Sequence, residues 1–170
     1  MALVKTLLCK TPEFGENCFL AETATIIGDV KVGNDCTIWY GAVLRGDVYY
    51  IRIGNNTNVQ YNAVIHATYQ KSPTNIGNNV TIAHGAILHG CTIHDNVMIW
   101  MNAVVLDDVV VESNSIIAAG SVVSKWTRVE SGTVYAGIPA KKIKDISPEL
   151  LEGEIKRIAK AYGMYSGWYK

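Results

Sequence analysis

The chain has 170 residues, and its 15 Lys and Arg residues balance its 15 Asp and Glu residues. This length predicts one domain, residues 1–170, around one continuous core. The zero net charge, with only a short basic group at Lys141, Lys142 and Lys144, argues against a nucleic-acid partner. No apolar run could span a bilayer, and Pro12 comes too early for a signal peptide, so we expect a cytoplasmic protein with no membrane partner.

From Ile26 to Val123, an apolar residue recurs every six positions with few interruptions. A helix would show a period of 3.6 and a simple strand a period of 2. A period of six therefore predicts a mainly β fold, a single-stranded left-handed parallel β-helix of hexapeptide repeats, over about residues 12–135. Three hexapeptides make one triangular coil, and the repeating positions predict roughly five coils.

The repeating positions sort into three columns, one on each face of the predicted prism. Face A carries Ile26, Leu44, Ile65, Leu88, Val105 and Val123. Face B carries Val32, Ile53, Ile76, Ile93 and Val111, and face C carries Ile38, Val59, Ile82, Ile99 and Ile117. Gly or Asn fills many of the corners between them, because these residues tolerate a positive φ.

Beyond the repeats, we predict an exit loop over residues 136–146 and an α-helix over about residues 148–162. Ser147 and Pro148 are typical of the N-cap and the first position of a helix, and Gly163 is expected to end it. The expected apolar stripe of this helix consists of Leu151, Ile155, Ile158 and Tyr162.

Three of the four histidines take positions in the repeat that predict a metal site. His66 and His89 each follow a face A residue by one, so they should lie one coil apart in the same outward-facing column. His84 follows a face C residue by two and projects from another side of the prism, where it cannot readily meet the pair within one chain. A threefold arrangement of subunits could bring face C of one against face A of the next. Three neutral imidazoles would then suit zinc and leave a fourth position open for water.

Other candidate ligands are assigned structural roles. His94 is expected to be a solvated corner residue. Cys91, two residues past His89, is expected to be a small buried residue and not a ligand. The four cysteines lack CxxC spacing and should be free thiols.

Three segments resemble signature segments of the γ-class carbonic anhydrase family. They are Leu44-Arg45-Gly46-Asp47, Asn58-Val59-Gln60 with His66 following, and the run TIAHGAILHGC from Thr81 to Cys91. The resemblance implies a homotrimer with Zn²⁺ between subunits, or Fe²⁺ or Co²⁺ in its place, held by His66 and His89 of one protomer and His84 of its neighbour. The implied reaction is reversible hydration of carbon dioxide to bicarbonate by metal-bound hydroxide.

The same resemblance implies roles for four further residues. Arg45 and Asp47 match an ion pair that organises the subunit interface near the metal. Gln60 matches a polar residue close to the metal-bound solvent. Tyr61 stands where the family usually has an aspartate, and it is expected directly beneath His84, where it could hydrogen-bond near the site.

Two departures from the family pattern concern proton export. Val48 stands where well-known members carry a glutamate, and the stretch Ala67–Asn75 contains no Asp or Glu. We therefore expect weak turnover. Tyr162 and Tyr165, from the predicted helix, are candidates for a residue near the metal.

Two alternatives remain open. The loop Gly137–Lys141 also resembles one that hexapeptide-repeat acyltransferases place near coenzyme A, so an acyltransferase or acyl-CoA-handling enzyme is the first. Such enzymes need one general-base histidine and no metal triad, which argues for the carbonic anhydrase interpretation. The second alternative is a non-catalytic trimeric assembly subunit, which the missing carboxylates would allow.

Overall fold

The computed structural model describes residues 1–169, which form a parallel β-solenoid of about seven turns followed by a single C-terminal helix. The predicted mainly β architecture is confirmed. Faces A and B form one 12-stranded sheet, because two long strands run around the corner between them, and face C forms an 8-stranded sheet. The strands are Leu3–Lys5, Glu13–Phe14, Phe19–Leu20, Thr25–Val32, Thr37–Ile38, Val43–Ile53, Asn58–Val59, Val64–His66, Thr74–Ile76, Thr81–Ile82, Ile87–His89, Thr92–Ile93, Met98–Ile99, Val104–Val105, Val110–Val111, Ile116–Ile117, Val122–Val123, Arg128–Val129, Thr133–Gly137 and Ala140–Asp145.

The predicted sorting of the repeat into three faces is confirmed. On face A, for example, Leu88 pairs with Ile65 in the coil below and with Val105 in the coil above. Faces B and C keep the predicted register in the same way. The extra residues before Ile53 lengthen one strand around a corner, whereas those of Ala67–Asn75 form a loop that ends where the strand Thr74–Ile76 begins.

The solenoid has about seven turns, where the repeat predicted roughly five. The period continues before Ile26 through Phe14 and Leu20, and it continues at the other end through Val129 and Tyr135. Each of these residues pairs with the neighbouring coil. Phe14 and Tyr135 are larger than the aliphatic residues of the inner coils, so the period is harder to recognise at both ends.

The interior of the solenoid is a continuous column of aliphatic side chains from the repeating positions. Ile65, Ile82 and Leu88 are completely buried, and burying one such side chain stabilises the fold by about 1.5–3 kcal/mol. Because side chains alternate across a strand, the residues beside them point outward and are available for a site. Cys36 and Cys91 belong to this core, and all four cysteines are free thiols as predicted.

The prediction of an exit loop over residues 136–146 is wrong. Thr133–Gly137 and Ala140–Asp145 form an antiparallel pair, so most of this segment is strand. Without the second strand, the N–H and C=O groups of the last face C strand would form an open sheet edge. The antiparallel strand pairs with these groups and covers the edge.

The C-terminal helix begins where the sequence predicts. Ser147 caps it, since its Oγ accepts a hydrogen bond from the Leu150 N–H at 3.3 Å, and Pro148 stands in the first turn. The helix then contains a π-helical stretch that the sequence did not predict. Its segments are Pro148–Leu150 (α), Leu151–Lys156 (π), Arg157–Ser166 (α) and Gly167–Tyr169 (3₁₀). No helix within residues 1–169 has the length and apolarity needed to cross a membrane.

The prediction that Gly163 ends the helix is wrong. Ser166 is buried beyond it and donates a hydrogen bond to the Gly163 carbonyl at 2.7 Å. The ring of Tyr169 packs against Phe19 and Trp39, with centroids 5.8 and 5.4 Å apart. These contacts outweigh the roughly 1 kcal/mol that a glycine costs inside a helix. The helix lies over face C, which it covers along most of its height.

Candidate metal centre

His66 and His89 lie next to each other on face A. They are the last residues of the strands Val64–His66 and Ile87–His89, which pair His89 directly with His66. Since Ile65 and Leu88 point into the core, the two imidazoles point outward. His66 Nδ1 and His89 Nε2 are 3.1 Å apart, so the predicted stacking of the two histidines is confirmed.

Arg45 and Asp47 flank His66 from the coil below. Arg45 Nε lies 3.4 Å from Asp47 Oδ2, which forms the predicted ion pair. Arg45 Nη2 and Asp47 Oδ1 lie 2.9 and 3.1 Å from His66 Nε2. Burial lowers the pKa of His66; the Asp47 carboxylate opposes this and the Arg45 guanidinium adds to it, with a net lowering. His66 is therefore held as a neutral imidazole, the form that binds metals.

Asp107 is a site residue that the sequence analysis missed. Its Oδ1 lies 2.6 Å from His89 Nδ1, and it also accepts a hydrogen bond from Thr68 Oγ1 at 3.0 Å. Its Oδ2 lies 2.8 Å from Lys125 Nζ. Burial would raise the pKa of Asp107, but the hydrogen bonds from Lys125, His89 and Thr68 outweigh it and lower this pKa to about 2.

A signal for Asp107 is present in the repeat. The position two residues after a face A anchor is occupied by Gly46, Ala67 and Gly90 in three successive coils, and then by Asp107. An acid in a column of small residues departs from the pattern one coil above His89. The repeat therefore marks Asp107 as an unusual position, although it does not predict its contact with His89.

His84 lies on face C, apart from the other two predicted ligands. Its ring packs on Tyr61 with centroids 5.3 Å apart, as predicted, and its Nε2 lies 3.5 Å from the Tyr162 hydroxyl. Burial lowers the pKa of His84, so it too is a neutral imidazole near neutral pH. Of the two tyrosines considered from the helix, Tyr162 is the one within reach of this histidine.

Gln60 and Tyr61 lie with His84 and not with His66 and His89. Gln60 is almost fully buried beneath the helix, and its amide donates a hydrogen bond to Asn58 Oδ1 at 3.0 Å. Gln60 and His84 line a cavity of about 210 Å³ together with Tyr162. Burial, with a hydrogen bond to Tyr169, raises the pKa of Tyr61 to about 12. These groups therefore lie together with His84 on face C.

The donor set on face A fits two ligands of one metal ion. Two nitrogens that each lie about 2.0–2.1 Å from a tetrahedral zinc are roughly 3.3–3.4 Å apart. The 3.1 Å between His66 Nδ1 and His89 Nε2 is close to this value. Among residues 1–169 of a single chain, no three His, Cys, Asp or Glu side chains are arranged to hold a metal ion. A third ligand would have to come from outside the face A pair.

The two residues that the sequence analysis set aside have the expected environments. His94 is exposed at a corner, where its Nε2 lies 3.8 Å from Glu112 Oε2. Cys91 is buried in the core, and burial raises the pKa of its thiol to about 12. A buried thiol that stays protonated is a poor metal ligand.

Comparison with known proteins gives the class and then the family. Residues 11–46 and 90–125 match the model of the bacterial transferase hexapeptide (six repeats) family. Gamma carbonic anhydrase 2, mitochondrial, of Arabidopsis thaliana is 44% identical over 145 residues, which are 82% of this chain and 52% of that protein. The carbonic anhydrase of Geobacillus kaustophilus is 34% identical over 161 residues, covering 95% of this chain and 87% of the relative.

A solved structure has the same fold as this chain. The crystal structure of a hexapeptide transferase family protein from Anaplasma phagocytophilum has a TM-score of 0.94 and 38% identity, and the match covers 99% of this chain and 98% of that chain. The chain belongs to the γ-carbonic anhydrase family of hexapeptide-repeat proteins. It spans about half the length of the Arabidopsis relative, 52%.

Proposed function

We propose that this chain is a metal-dependent enzyme that hydrates carbon dioxide reversibly to bicarbonate, with its metal site shared between the subunits of a homotrimer. His66 and His89 of one protomer and His84 of the next would hold Zn²⁺. The observation that carries the proposal is the pair of imidazole nitrogens 3.1 Å apart on face A, with the third histidine on another face of the prism. Membership of the γ-carbonic anhydrase family supports it.

The residues around each half of the site fit this chemistry. Bound zinc would supply a Lewis acid that makes water a nucleophile at neutral pH. Arg45 and Asp47 would hold His66 in place, since both contact its ring. Gln60 and Tyr61 would lie beside the substrate on the His84 side, where the Gln60 amide would orient carbon dioxide or bicarbonate.

The chain carries no acidic residue at Val48 or in the Ala67–Asn75 loop to export the proton. The helix places the Tyr162 hydroxyl 3.5 Å from Nε2 of His84, a predicted ligand. Burial raises the pKa of Tyr162 above its ordinary value, so its hydroxyl stays protonated near neutral pH and is not available as a base. We therefore expect slow turnover.

Two further points of the proposal concern the metal and the location. Fe²⁺ or Co²⁺ would suit the same three imidazoles. The cytoplasmic location stays a prediction, because the Arabidopsis relative is named as mitochondrial.

The test is metal content measured by elemental mass spectrometry on anaerobically purified protein, with subunit mass by native mass spectrometry. We expect a trimer with about one metal ion per chain. His84→Ala and His89→Ala should each remove the metal and leave the solenoid folded. His94→Ala is the matched control, since this exposed histidine should leave metal content unchanged.

Mixing His84→Ala with His89→Ala, the two variants expected to lack metal, tests whether the site is shared between subunits. In a trimer that contains both His84→Ala and His89→Ala chains, one interface joins an intact His66–His89 pair to an intact His84. Random mixing should therefore restore about a quarter of the wild-type metal content. A stable metal-loaded monomer, or mixed trimers without metal, would refute the shared site.

The same measurements separate the alternatives. A protein that binds no metal, even after zinc is added, would favour acyl-CoA chemistry; the Anaplasma protein is named as a hexapeptide transferase family protein. A metal-loaded trimer that fails to hydrate carbon dioxide in a stopped-flow assay would favour a non-catalytic assembly subunit. Metal loading together with carbon dioxide hydration would support the proposed enzyme.

A further inference from the structure

We propose that Asp107 is a positioning residue that holds the His89 ring in the orientation and tautomer needed for metal binding through Nε2. The inference rests on the proposed function, since it assumes that His89 is a ligand. It adds a residue that lies outside the three segments resembling the family signature, 18 positions after His89 in the sequence and one coil above it in space.

The contact between Asp107 and His89 determines which nitrogen faces outward. Asp107 Oδ1 lies 2.6 Å from His89 Nδ1. A carboxylate only accepts hydrogen bonds, so the Nδ1 atom must carry the proton. The lone pair then lies on Nε2, the nitrogen that is 3.1 Å from His66 Nδ1. Asp107 therefore selects the tautomer whose free nitrogen points to the proposed metal position.

Asp107 is itself held by its neighbours. Lys125 Nζ lies 2.8 Å from Oδ2, and Thr68 Oγ1 donates to Oδ1 at 3.0 Å. The side chain of Asp107 is only 10% exposed, so its carboxylate is held in one position by protein contacts and not left mobile in solvent. Gly90 makes room for it, because a Cβ at Gly90 would lie only 2.4 Å from Asp107 Oδ1. A restrained carboxylate of this kind can fix a ring, whereas a mobile surface carboxylate cannot.

The three predicted ligands differ in this respect. His66 has Asp47 and Arg45 beside its ring, and its two shortest contacts with them, 2.9 and 3.1 Å, fall on the same nitrogen, Nε2. His84 has the Tyr162 hydroxyl at 3.5 Å as its polar contact within residues 1–169. Among the three, His89 has the shortest polar contact, so its orientation should depend most on one side chain. Partners of this kind commonly change metal affinity by about 10–100-fold when they are removed.

The chain offers a matched control next to Asp107. Asp108 is also held to the Ala67–Asn75 loop, because Ser72 Oγ donates to its Oδ1 at 2.7 Å. This carboxylate is bonded to the loop and not to the ring of His89. Asp108→Asn therefore removes the charge of a carboxylate that is hydrogen-bonded to the loop, as Asp107→Asn does, and leaves the contact between Asp107 and His89 in place.

The first measurement is Zn²⁺ affinity of the full-length protein by competition with a chelator, for wild type, Asp107→Asn, Asp107→Ala and Asp108→Asn. We expect affinity to fall by about 10–100-fold in both Asp107 variants. Asp108→Asn should stay within about threefold of wild type, since it touches no ligand. Equal losses in Asp107→Asn and Asp108→Asn would overturn the inference, because they would point to a general effect on the loop.

The second measurement reads the tautomer directly in metal-free protein. Long-range proton–nitrogen spectra of protein with isotope-labelled histidine distinguish Nδ1–H from Nε2–H rings, and His89→Gln identifies the His89 signals. We expect Nδ1–H for His89 in wild type and in Asp108→Asn, and Nε2–H in Asp107→Ala. An unchanged His89 tautomer in Asp107→Ala would overturn the inference, whereas a purely structural role for Asp107 would not alter this signal in a folded protein.

The two proposals fail in different ways. If wild type binds no Zn²⁺, the proposed metal site and the role of Asp107 in it both fall. If wild type binds Zn²⁺ and both Asp107 variants bind it equally well, the metal site stands and the inference about Asp107 alone is wrong.

Discussion

Replacing Gly90 by alanine tests how closely the backbone, Asp107 and His89 are fitted together. Gly90 has φ +59°, and a Cβ there would lie 2.4 Å from Asp107 Oδ1 and 2.9 Å from the Ser72 Cβ. Gly120 has a similar φ of +66°, but a Cβ at Gly120 would meet nothing within 4 Å. The pair Gly90→Ala and Gly120→Ala therefore separates the cost of the backbone conformation from the cost of the collision.

The two costs can be worked out from the structure. An alanine in the left-handed region costs roughly 1–2 kcal/mol, and both variants should lose this much. In Gly90→Ala the carboxylate of Asp107 must also move, which disturbs its contacts with His89 and Thr68. Hydrogen bonds to a charged group contribute about 1.5–3 kcal/mol each. Losing one or two of them gives an extra loss of about 1.5–6 kcal/mol for Gly90→Ala.

The assay is urea unfolding of metal-free protein at one fixed protomer concentration, since the stability of any protein that assembles depends on its concentration. Gly90→Ala should be less stable than Gly120→Ala by the extra amount, with similar slopes in urea. A difference below about 1 kcal/mol would refute the reasoning, because that is less than one charged hydrogen bond. It would mean that the Asp107 carboxylate can move without loss.

Three further predictions concern other parts of the molecule. Trp39→Ala should destabilise the protein by about 3–5 kcal/mol in the same urea assay, because Trp39 is buried and its indole N–H donates to Thr37 Oγ1 at 2.9 Å. Ser147→Ala should cost about 1 kcal/mol by loss of the helix cap, and an unchanged unfolding midpoint would count against the cap. Cys91→Ala should leave metal content unchanged by mass spectrometry, since this thiol is buried in the core; loss of metal would show that Cys91 contributes to the site.

The period of six was enough to predict the register of the solenoid. A residue such as Leu88 can be assigned to a face by counting alone, because every side chain in a column is repeated at the same point of each coil. The stacking of His66 on His89 and the separation of His84 follow from the same count. The ion pair of Arg45 and Asp47 was implied by the family resemblance and not by the count, and it joins two residues of one strand.

Contacts that depend on side-chain length could not be counted in this way. Asp107 reaches down from the coil above, and only the small size of Gly90 lets it meet His89. The helix continues beyond Gly163 because Tyr169 packs against Phe19 and Trp39. These partners lie far away in the sequence. The strand Ala140–Asp145 forms by pairing with the open edge of Thr133–Gly137. Its own sequence shows only a weak alternation of apolar and polar residues.

The length of the C-terminal helix is matched to the height of the solenoid. From Leu151, which packs near Val134 of the last coil, to Tyr169, which packs on Phe19 of the first full coil of face C, the chain advances about 27 Å at roughly 1.5 Å per residue. Six coil spacings of about 4.8 Å add up to about 29 Å. Adding one coil would keep every pairing in the solenoid, yet it would leave Tyr169 about 5 Å short of Phe19. A change in the number of coils therefore requires about three more helical residues, so the two parts of the chain can change in length only together.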